Sequence, residues 1–248
     1  MKDFTGRNVA VVGMAKSGLS AVELLLKHGA NVSAIDERPA GKLGTTGTRL
    51  TELGVQLLPQ TAESLAGASL IVVSPGVPTD LPLLEDARKS GAEVIGEVEL
   101  ASYYLYGPII GITGSNGKTT TTAMVGHILK HRSQVGGNIG TPPTAMIETS
   151  RADQWNVLEL SSFQLETISE FRAKIGVALN VTPDHLDRHH TFQSYAAAKG
   201  RLFETQQPGD FAVLNADDAA CVAYAQITKA DPVWFSIARC GGSWSHQL

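Results

Sequence analysis

The segment spanning residues 109–122 constrains this chain more tightly than any other. It reads Ile-Ile-Gly-Ile-Thr-Gly-Ser-Asn-Gly-Lys-Thr-Thr-Thr-Thr, an apolar run, a glycine-rich turn, then a lysine followed by hydroxyl residues. This order predicts a strand, a loop and a helix start, and such loops bind phosphate because backbone N–H groups and the positive helix end face the anion. Lys118 is then placed to reach the β- and γ-phosphates, and the Thr119 hydroxyl to bind Mg²⁺. The alternative is a mobile loop without a ligand.

The loop departs from the general phosphate-loop pattern at one position. That pattern has a glycine five residues before Gly117, where this chain has Ile112. The form Thr-Gly-Ser-Asn-Gly-Lys-Thr resembles instead the loop of the Mur ligase and folylpolyglutamate synthetase superfamily. The residues that we predict to contact ATP are Gly114, Ser115, Asn116, Gly117, Lys118, Thr119 and Thr120.

Composition excludes several classes of protein. The 248 residues are 43% hydrophobic and 18% charged, so a folded chain with room for two modest domains is expected rather than a disordered one. The net charge of -4 argues against nucleic acid as the main partner. Cys221 and Cys240 suggest no disulfide framework, and neither a signal peptide nor a membrane-spanning run is visible. We therefore expect a cytoplasmic protein that does not bind membranes.

Strand-like and helix-like segments alternate along the chain, which predicts an α/β fold with parallel sheets. Gly107-Pro108 marks a boundary between a Rossmann-like domain (residues 1–106) and a P-loop-type ATPase domain (residues 107–248). Residues 37–48 are expected to form a flexible loop, and residues 239–248 show no period of strand or helix. The predicted strands are residues 8–12, 32–35, 70–73, 93–95, 109–113, 157–160, 175–181 and 211–215. The first predicted helix begins after Gly18 and ends before Gly29. The other predicted helices span residues 81–89, 97–106, 118–131, 163–171 and 194–204.

The first domain carries a nucleotide-binding pattern with one weakness. Gly13 and Gly18 are the outer glycines of a βαβ turn, but Ala15 occupies the middle position, where glycine lets the backbone approach a pyrophosphate. Asp36 lies 23 residues after Gly13, close to where a ribose or base acceptor is expected. The residues leave three interpretations open: NAD, another nucleotide, or a βαβ turn without a ligand.

Four polar residues follow the P-loop in the second domain. Asn138 lies in a glycine turn, Glu159 and His185 follow apolar strands, and Lys199 lies on an alanine-rich helix. A carboxylate at a strand end facing a P-loop is an expected ligand for Mg²⁺, and His185 would be a second ligand or a substrate contact. Each also has a structural interpretation: a turn asparagine, a helix-capping acid, a structural histidine and a solvated lysine.

The spacing of these motifs is similar to that of the Mur ligase family, over residues 7 to about 237. Glu-Leu-Ser-Ser-Phe-Gln-Leu-Glu at 159–166 and Asp-His-Leu-Asp-Arg-His at 184–189 resemble its D-glutamate-adding branch. The resemblance implies two Mg²⁺ ions. Thr119 and Glu159 would hold the first, and Glu159, His185 and a Lys199 carbamylated by CO₂ would hold the second. It implies Lys118, His185 and Lys199 as catalytic residues. The substrate contacts that it implies are Met14, Ala15, Lys16, Asp36, Glu37, Arg38, Ser74, Gly76, Asn138, Ser161 and Gln164; Glu37 replaces a common threonine.

The resemblance implies an ATP-dependent amide ligase of peptidoglycan precursor synthesis, joining D-glutamate to UDP-N-acetylmuramoyl-L-alanine through an acyl phosphate. The alternatives are an L-alanine-adding ligase of the same family, a Rossmann oxidoreductase that binds NAD, and a non-catalytic nucleotide-binding module. The family has three domains, and motifs of the last third are absent from these 248 residues. We therefore expect UDP-sugar binding, weakened ATP affinity, little or no ligase activity and a tendency to self-associate, whereas the full-length enzyme is expected to be monomeric.

Overall fold

The computed structural model describes residues 2–238, so Cys240 and the predicted irregular tail at 239–248 lie outside the described residues. Two parallel sheets follow one another along the chain, as the α/β prediction required. The first sheet has the strand order β3-β2-β1-β4-β5. Its strands are β1 (Asn8–Val12), β2 (Asn31–Asp36), β3 (Leu57–Pro59), β4 (Leu70–Val73) and β5 (Glu93–Gly96). The helices of this half are α1 (Lys16–Lys27), α2 (Thr45–Glu52), α3 (Ala62–Leu65), α4 (Pro82–Lys89) and α5 (Glu97–Ser102).

The second sheet has the order β11-β10-β9-β6-β8-β7. Its strands are β6 (Ile109–Thr113), β7 (Ser133–Gly137), β8 (Trp155–Glu159), β9 (Ile175–Ala178), β10 (Phe211–Asn215) and β11 (Asp231–Phe235). The helices are α6 (Lys118–Leu129), α7 (Ser162–Leu165), α8 (Leu186–His189), α9 (Phe192–Glu204) and α10 (Ala219–Tyr224). Short 3₁₀ turns lie at Ala40–Lys42, Lys130–Arg132 and Pro143–Thr149. No helix within residues 2–238 combines the length and the apolar character needed to cross a membrane.

The apolar strands are buried on both faces, which explains why they read as continuous hydrophobic runs. In β1, Val9 and Val11 belong to one core cluster, whereas Ala10 and Val12 belong to the cluster on the opposite face. Helices cover both faces, and the strand order reverses between β1 and β4. The carboxyl ends of the strands at such a reversal form a crevice where ligands bind.

The turn after β1 needs glycine because of a close approach. A Cβ built at Gly18 would lie 1.9 Å from the carbonyl oxygen of Gly13, which leaves no room for a larger residue. Ser74 fixes the same turn, since its hydroxyl donates to the Gly13 carbonyl at 2.6 Å. The two outer glycines of the pattern therefore have a packing role that does not depend on the ligand.

Several boundaries predicted from sequence are wrong. The loop predicted at 37–48 contains the start of α2, whose Leu50 is buried. The helix predicted at 97–106 ends at Ser102, and the strand predicted at 175–181 ends at Ala178. Strands β3, β7 and β11 were not predicted, and all three lie at sheet edges, where the burial pattern is weaker.

The helix predicted at 163–171 ends at Leu165, for a reason found in the other half of the chain. Glu99 on α5 is fully buried, and its carboxylate accepts hydrogen bonds from the backbone N–H groups of Ser169, Glu170 and Phe171 at 2.8 to 3.0 Å. Those N–H groups would otherwise donate along a continued helix. The carboxylate therefore ends the helix and links the two sheets.

Candidate functional site

The predicted phosphate loop has the expected geometry. Gly117 adopts a left-handed conformation (φ 83°) at the start of α6, and the loop before it is braced by Asn180 beyond β9. The Asn116 N–H donates to Asn180 Oδ1 at 2.8 Å, and Asn180 Nδ2 donates back to the Asn116 carbonyl at 3.0 Å. The Ser115 hydroxyl lies 3.0 Å from the Tyr195 hydroxyl. The first turn of α6, with Lys118, Thr119 and Thr120, follows directly, so its N–H groups face the loop.

Both lysines of interest meet the same loop carbonyl. Lys118 Nζ donates to the carbonyls of Gly114 and Ser115 at 2.8 and 2.9 Å, and Lys199 Nζ donates to that of Gly114 at 2.9 Å. Two amino groups on one carbonyl oxygen repel each other when both are protonated. The sequence placed these residues 81 positions apart, and the structure brings them together.

Lys199 is the most unusual titratable group in the structure. Its side chain is 1% exposed and its Nζ lies 4.6 Å from the centre of the Tyr195 ring. Burial, aided by the charge of Lys118, lowers the pKa of Lys199 from 10.5 to about 7. A buried lysine whose neutral amine is populated near pH 7 is not the solvated lysine of the structural interpretation.

Glu159 lies beside the Thr119 hydroxyl, and together they place the oxygen atoms of a candidate cation site. Glu159 ends β8 and is 1% exposed, and its Oε2 accepts from the Thr119 hydroxyl at 2.8 Å. Its Oε1 accepts from Asn138 Nδ2 at 2.9 Å. Gly137 permits this approach, because a Cβ there would lie 2.1 Å from the Glu159 carbonyl oxygen. Hydroxyl and carboxylate oxygens are the donors that Mg²⁺ prefers, so these residues fit the metal that the sequence implied.

Among the described residues, no hydrogen bond joins His185 to Thr119 or Glu159. His185 begins α8 in a left-handed conformation (φ 51°), with its ring 4.9 Å from the Phe163 ring and 51% of its side chain exposed. Its recorded polar neighbour is Asp184, at 3.6 Å. Within residues 2–238 no three His, Cys, Asp or Glu side chains form a ready metal site. A metal held by Glu159, His185 and Lys199 thus stays a prediction.

A cavity of about 520 Å³ opens between the two sheets at the carboxyl ends of their strands. Most of the predicted substrate contacts line it: Met14, Ala15, Asp36, Glu37, Arg38, Ser74, Gly76, Asn138 and Gln164. Lys16 and Ser161 are not among its lining residues. Lys16 Nζ donates to the Gly140 carbonyl at 2.5 Å, and Ser161 caps α7 in a reciprocal pair with Gln164.

Asp36 is held in place by its surroundings. Its carboxylate accepts from the Met14 N–H at 2.6 Å and from Arg38 Nε at 2.8 Å, and it is 4% exposed. The hydrogen bonds from Arg38 lower the pKa of Asp36 to about 2, against the opposing effect of burial. Asp36 is therefore a fixed carboxylate at the end of β2, and it binds Arg38, which lines the cavity.

Sequence reasoning missed residues that act over long distances. Asn180 and Tyr195 brace the P-loop, and Glu97 joins α5 to the 3₁₀ turn after β7. Asn180 stood at the end of a predicted strand, which was a usable signal. No signal in the sequence pointed to Glu97, because its partner Thr144 is 47 residues away.

Glu97 is expected to make stability depend on pH. Burial raises the pKa of Glu97 from 4.5 to about 7, although Thr144 donates to its Oε1. Between those values the folded chain holds a proton that the unfolded chain has lost. The contribution of Glu97 to the free energy of unfolding is therefore complete below pH 4.5. About 3 kcal/mol of it is lost as pH rises through 7. In denaturant titrations from pH 4.5 to 8, Glu97→Gln should lack this decline; equal pH slopes in both proteins would contradict it.

Two family models match the chain. The model described as Mur ligase middle domain matches residues 112–243, and that described as Mur ligase MurD-like, N-terminal domain matches residues 7–96. Between them they cover the P-loop residues and the residues that line the cavity, whereas residues 97–111, with Glu97 and the start of β6, lie outside both matches.

Curated proteins and solved structures are also similar. The chain is 62% identical over 234 residues to a UDP-N-acetylmuramoylalanine–D-glutamate ligase of Solibacter usitatus, covering 93% of the chain and 52% of the relative. It is 48% identical to the Koribacter versatilis protein of the same name, over 94% of the chain and 53% of the relative. The chain thus spans about half the length of these relatives. A Neisseria ligase (UDP-N-acetylmuramate:L-alanyl-gamma-D-glutamyl-meso-diaminopimelate ligase) shares the fold, with a TM-score of 0.61 at 17% identity, covering 93% of this chain and 78% of that one.

Proposed function

The chain belongs to the Mur ligase family, and on that premise we propose that it provides the UDP-sugar and ATP sites of an ATP-dependent ligase. The reaction would join D-glutamate to the alanyl carboxyl group of UDP-N-acetylmuramoyl-L-alanine, the reaction named for the relatives at 62% and 48% identity. Residues 1–106 would hold the UDP-sugar and residues 107–248 the ATP phosphates.

One observation carries this proposal: a hydrogen-bonded series joins the P-loop helix to the cavity. Thr119 donates to one oxygen of Glu159, and Asn138, which lines the cavity, donates to the other. A nucleotide on the P-loop and a ligand in the cavity would thus meet across Glu159. A ligase that must bring a carboxylate to the γ-phosphorus needs two adjacent sites of this kind.

The chemistry follows from this arrangement. An oxygen of the alanyl carboxylate attacks the γ-phosphorus of ATP, and the bond to the bridging oxygen breaks, so that an acyl phosphate forms and ADP leaves. The amine of D-glutamate then attacks the acyl carbon, forms the amide and expels phosphate. Lys118 would exchange its two loop carbonyls for phosphate oxygens and offset the charge on the transferring group. Mg²⁺ bound at Thr119 and Glu159 would neutralise phosphate charge.

Lys199 is proposed to be carbamylated. Its neutral amine attacks CO₂: the N–C bond forms as one C–O π bond of CO₂ opens, and the nitrogen gives one proton to water, so that the side chain ends in a carbamate anion beside the P-loop. The lowered pKa and the full burial of the side chain support this proposal. The change in charge would also remove the repulsion between Lys199 and Lys118 at the Gly114 carbonyl.

Ligand-induced melting tests the proposed function against its main alternative. A Rossmann oxidoreductase would bind NADH at the Gly13 turn, and Asp36 at the end of β2 favours that alternative. We expect UDP and UDP-N-acetylmuramoyl-L-alanine to raise the melting temperature of the chain, because a ligand of the folded state stabilises it. NADH at the same concentration should leave it unchanged. Stabilisation by NADH alone would reverse the assignment.

A further inference from the structure

Arg188 reaches from α8, beside the second sheet, to the loop that follows β4 in the first. Its Nη1 donates to the Pro75 carbonyl at 2.9 Å and its Nη2 to the Val77 carbonyl at 2.8 Å. The guanidinium lies over the Phe163 ring, 4.1 Å from its centre, and its side chain is 17% exposed. A planar group stacked on an aromatic ring and bound to two carbonyls has little freedom to move.

Glu166 contacts both Arg188 and the segment that follows the loop, through Thr79. Its Oε2 lies 3.7 Å from Arg188 Nη2 and accepts from the Thr79 hydroxyl at 3.2 Å. Its Oε1 lies 3.1 Å from His189 Nδ1. Burial lowers the pKa of His189, so its neutral ring donates from Nδ1 to Glu166 and accepts at Nε2 from the Ser162 hydroxyl. The acid that orients Arg188 is therefore itself fixed, and it also binds the loop through Thr79.

The loop that Arg188 holds is a wall of the cavity. Residues 74–78 all line it, and Ser74 at the loop's start is bonded to the Gly13 carbonyl. The loop is thus tied at one end to the nucleotide turn of the first sheet and at its middle to the second sheet. Without the second tie, a ligand would have to order the loop at the moment of binding, and that ordering costs affinity.

We infer that Arg188 is a positioning residue for the UDP-sugar: it holds the 74–78 loop in the shape that binds the ligand. This inference rests on the proposed function, since it assigns the cavity to a UDP-sugar. It predicts that UDP-sugar binding and ATP-site binding respond differently to the loss of Arg188, because the P-loop is braced by other residues. Loss of Arg188 should weaken UDP-sugar binding and spare the nucleotide site.

The chain offers a matched control in Arg201. Its Nε donates to the Leu165 carbonyl at 3.0 Å and its Nη2 donates to the Ile168 carbonyl. Arg201 thus makes the same kind of contact, a guanidinium on two backbone carbonyls, but entirely within the second half of the chain. Its loss removes comparable bonds, none of which reaches the 74–78 loop.

Calorimetric titration of the 248-residue chain and its variants tests the inference. The ligands are UDP-N-acetylmuramoyl-L-alanine and, separately, Mg²⁺ with AMP-PNP. We expect Arg188→Met to weaken UDP-sugar binding at least tenfold, since two charge-assisted hydrogen bonds are lost, and to change AMP-PNP binding less than twofold. Arg188→Lys should lie between, because lysine keeps the charge but lacks the planar group that stacks on Phe163 and donates from two nitrogens. Arg201→Met should change neither ligand more than twofold.

A second variant, Thr79→Val, tests the same inference by the same titration if Arg188→Met does not fold. It removes the loop's bond to Glu166 and should weaken UDP-sugar binding about threefold. Wild-type affinity for UDP-sugar in both Arg188→Lys and Thr79→Val, or an equal loss in Arg201→Met, would overturn the inference. A wild-type chain that binds no UDP-sugar at all would instead contradict the proposed function.

Discussion

Lys118→Met should lower the affinity of the chain for Mg²⁺ with AMP-PNP by about 100-fold. Lys118 donates to two carbonyls of the P-loop turn, and a hydrogen bond from a charged group to phosphate contributes about 1.5 to 3 kcal/mol, or roughly 10- to 100-fold. We expect the upper end because Lys118 is placed to reach both the β- and γ-phosphates. Calorimetric titration of the wild type and the variant measures the difference.

Lys42→Met is the matched control for that experiment. Lys42 is exposed in a 3₁₀ turn beside the first sheet, so its loss removes the same net charge far from the loop. Its affinity for AMP-PNP should equal that of the wild type. An unchanged affinity in Lys118→Met, with the fold intact by circular dichroism, would remove the P-loop assignment.

The second large effect concerns Lys199. In ¹³CO₂-equilibrated buffer the wild-type chain should show a carbamate carbon signal by NMR, and Lys199→Met should lose it entirely. At fixed dissolved CO₂ the signal should grow as pH rises through about 7, because deprotonation of the Lys199 amine frees the nucleophile. Lys118→Met should shift that rise to higher pH, since the Lys118 charge lowers the pKa of Lys199.

Lys174→Met gives the control for the carbamate signal. Lys174 is a partly exposed lysine that pairs with the Asp210 carboxylate at 3.1 Å, away from the buried position of Lys199. The variant should keep the full signal. A signal that persists in Lys199→Met would place the carbamate elsewhere, and its absence from the wild type would remove the proposed modification.

The sequence predicted the parts of the fold that are set by neighbouring residues. The strand at Leu70–Val73 and the strand, turn and helix around Gly117 were predicted correctly, because apolar runs and glycine turns act over a few positions. The end of α7 was not, because the Glu99 carboxylate that stops it lies in the other half of the chain. No local pattern contains that contact.

The candidate site divides in the same way. Thr119 and Lys118 could be named from the P-loop alone, and Asp36 from its distance to Gly13. The bonds from Asn138 to Glu159 and from Arg188 to the 74–78 loop join residues 21 and more than 100 positions apart, so only the folded sheets bring them together. The burial of Lys199 was likewise invisible, since an alanine-rich helix with one lysine also fits a solvated face.

A crystal structure of the chain with both UDP-N-acetylmuramoyl-L-alanine and Mg²⁺ with AMP-PNP tests the central claim most directly. We expect the diphosphate at the Gly13 turn, the γ-phosphate at Lys118, and the alanyl carboxylate facing that phosphate across Glu159. A UDP-sugar bound outside the cavity between the sheets, or a carboxylate directed away from the γ-phosphate, would contradict it.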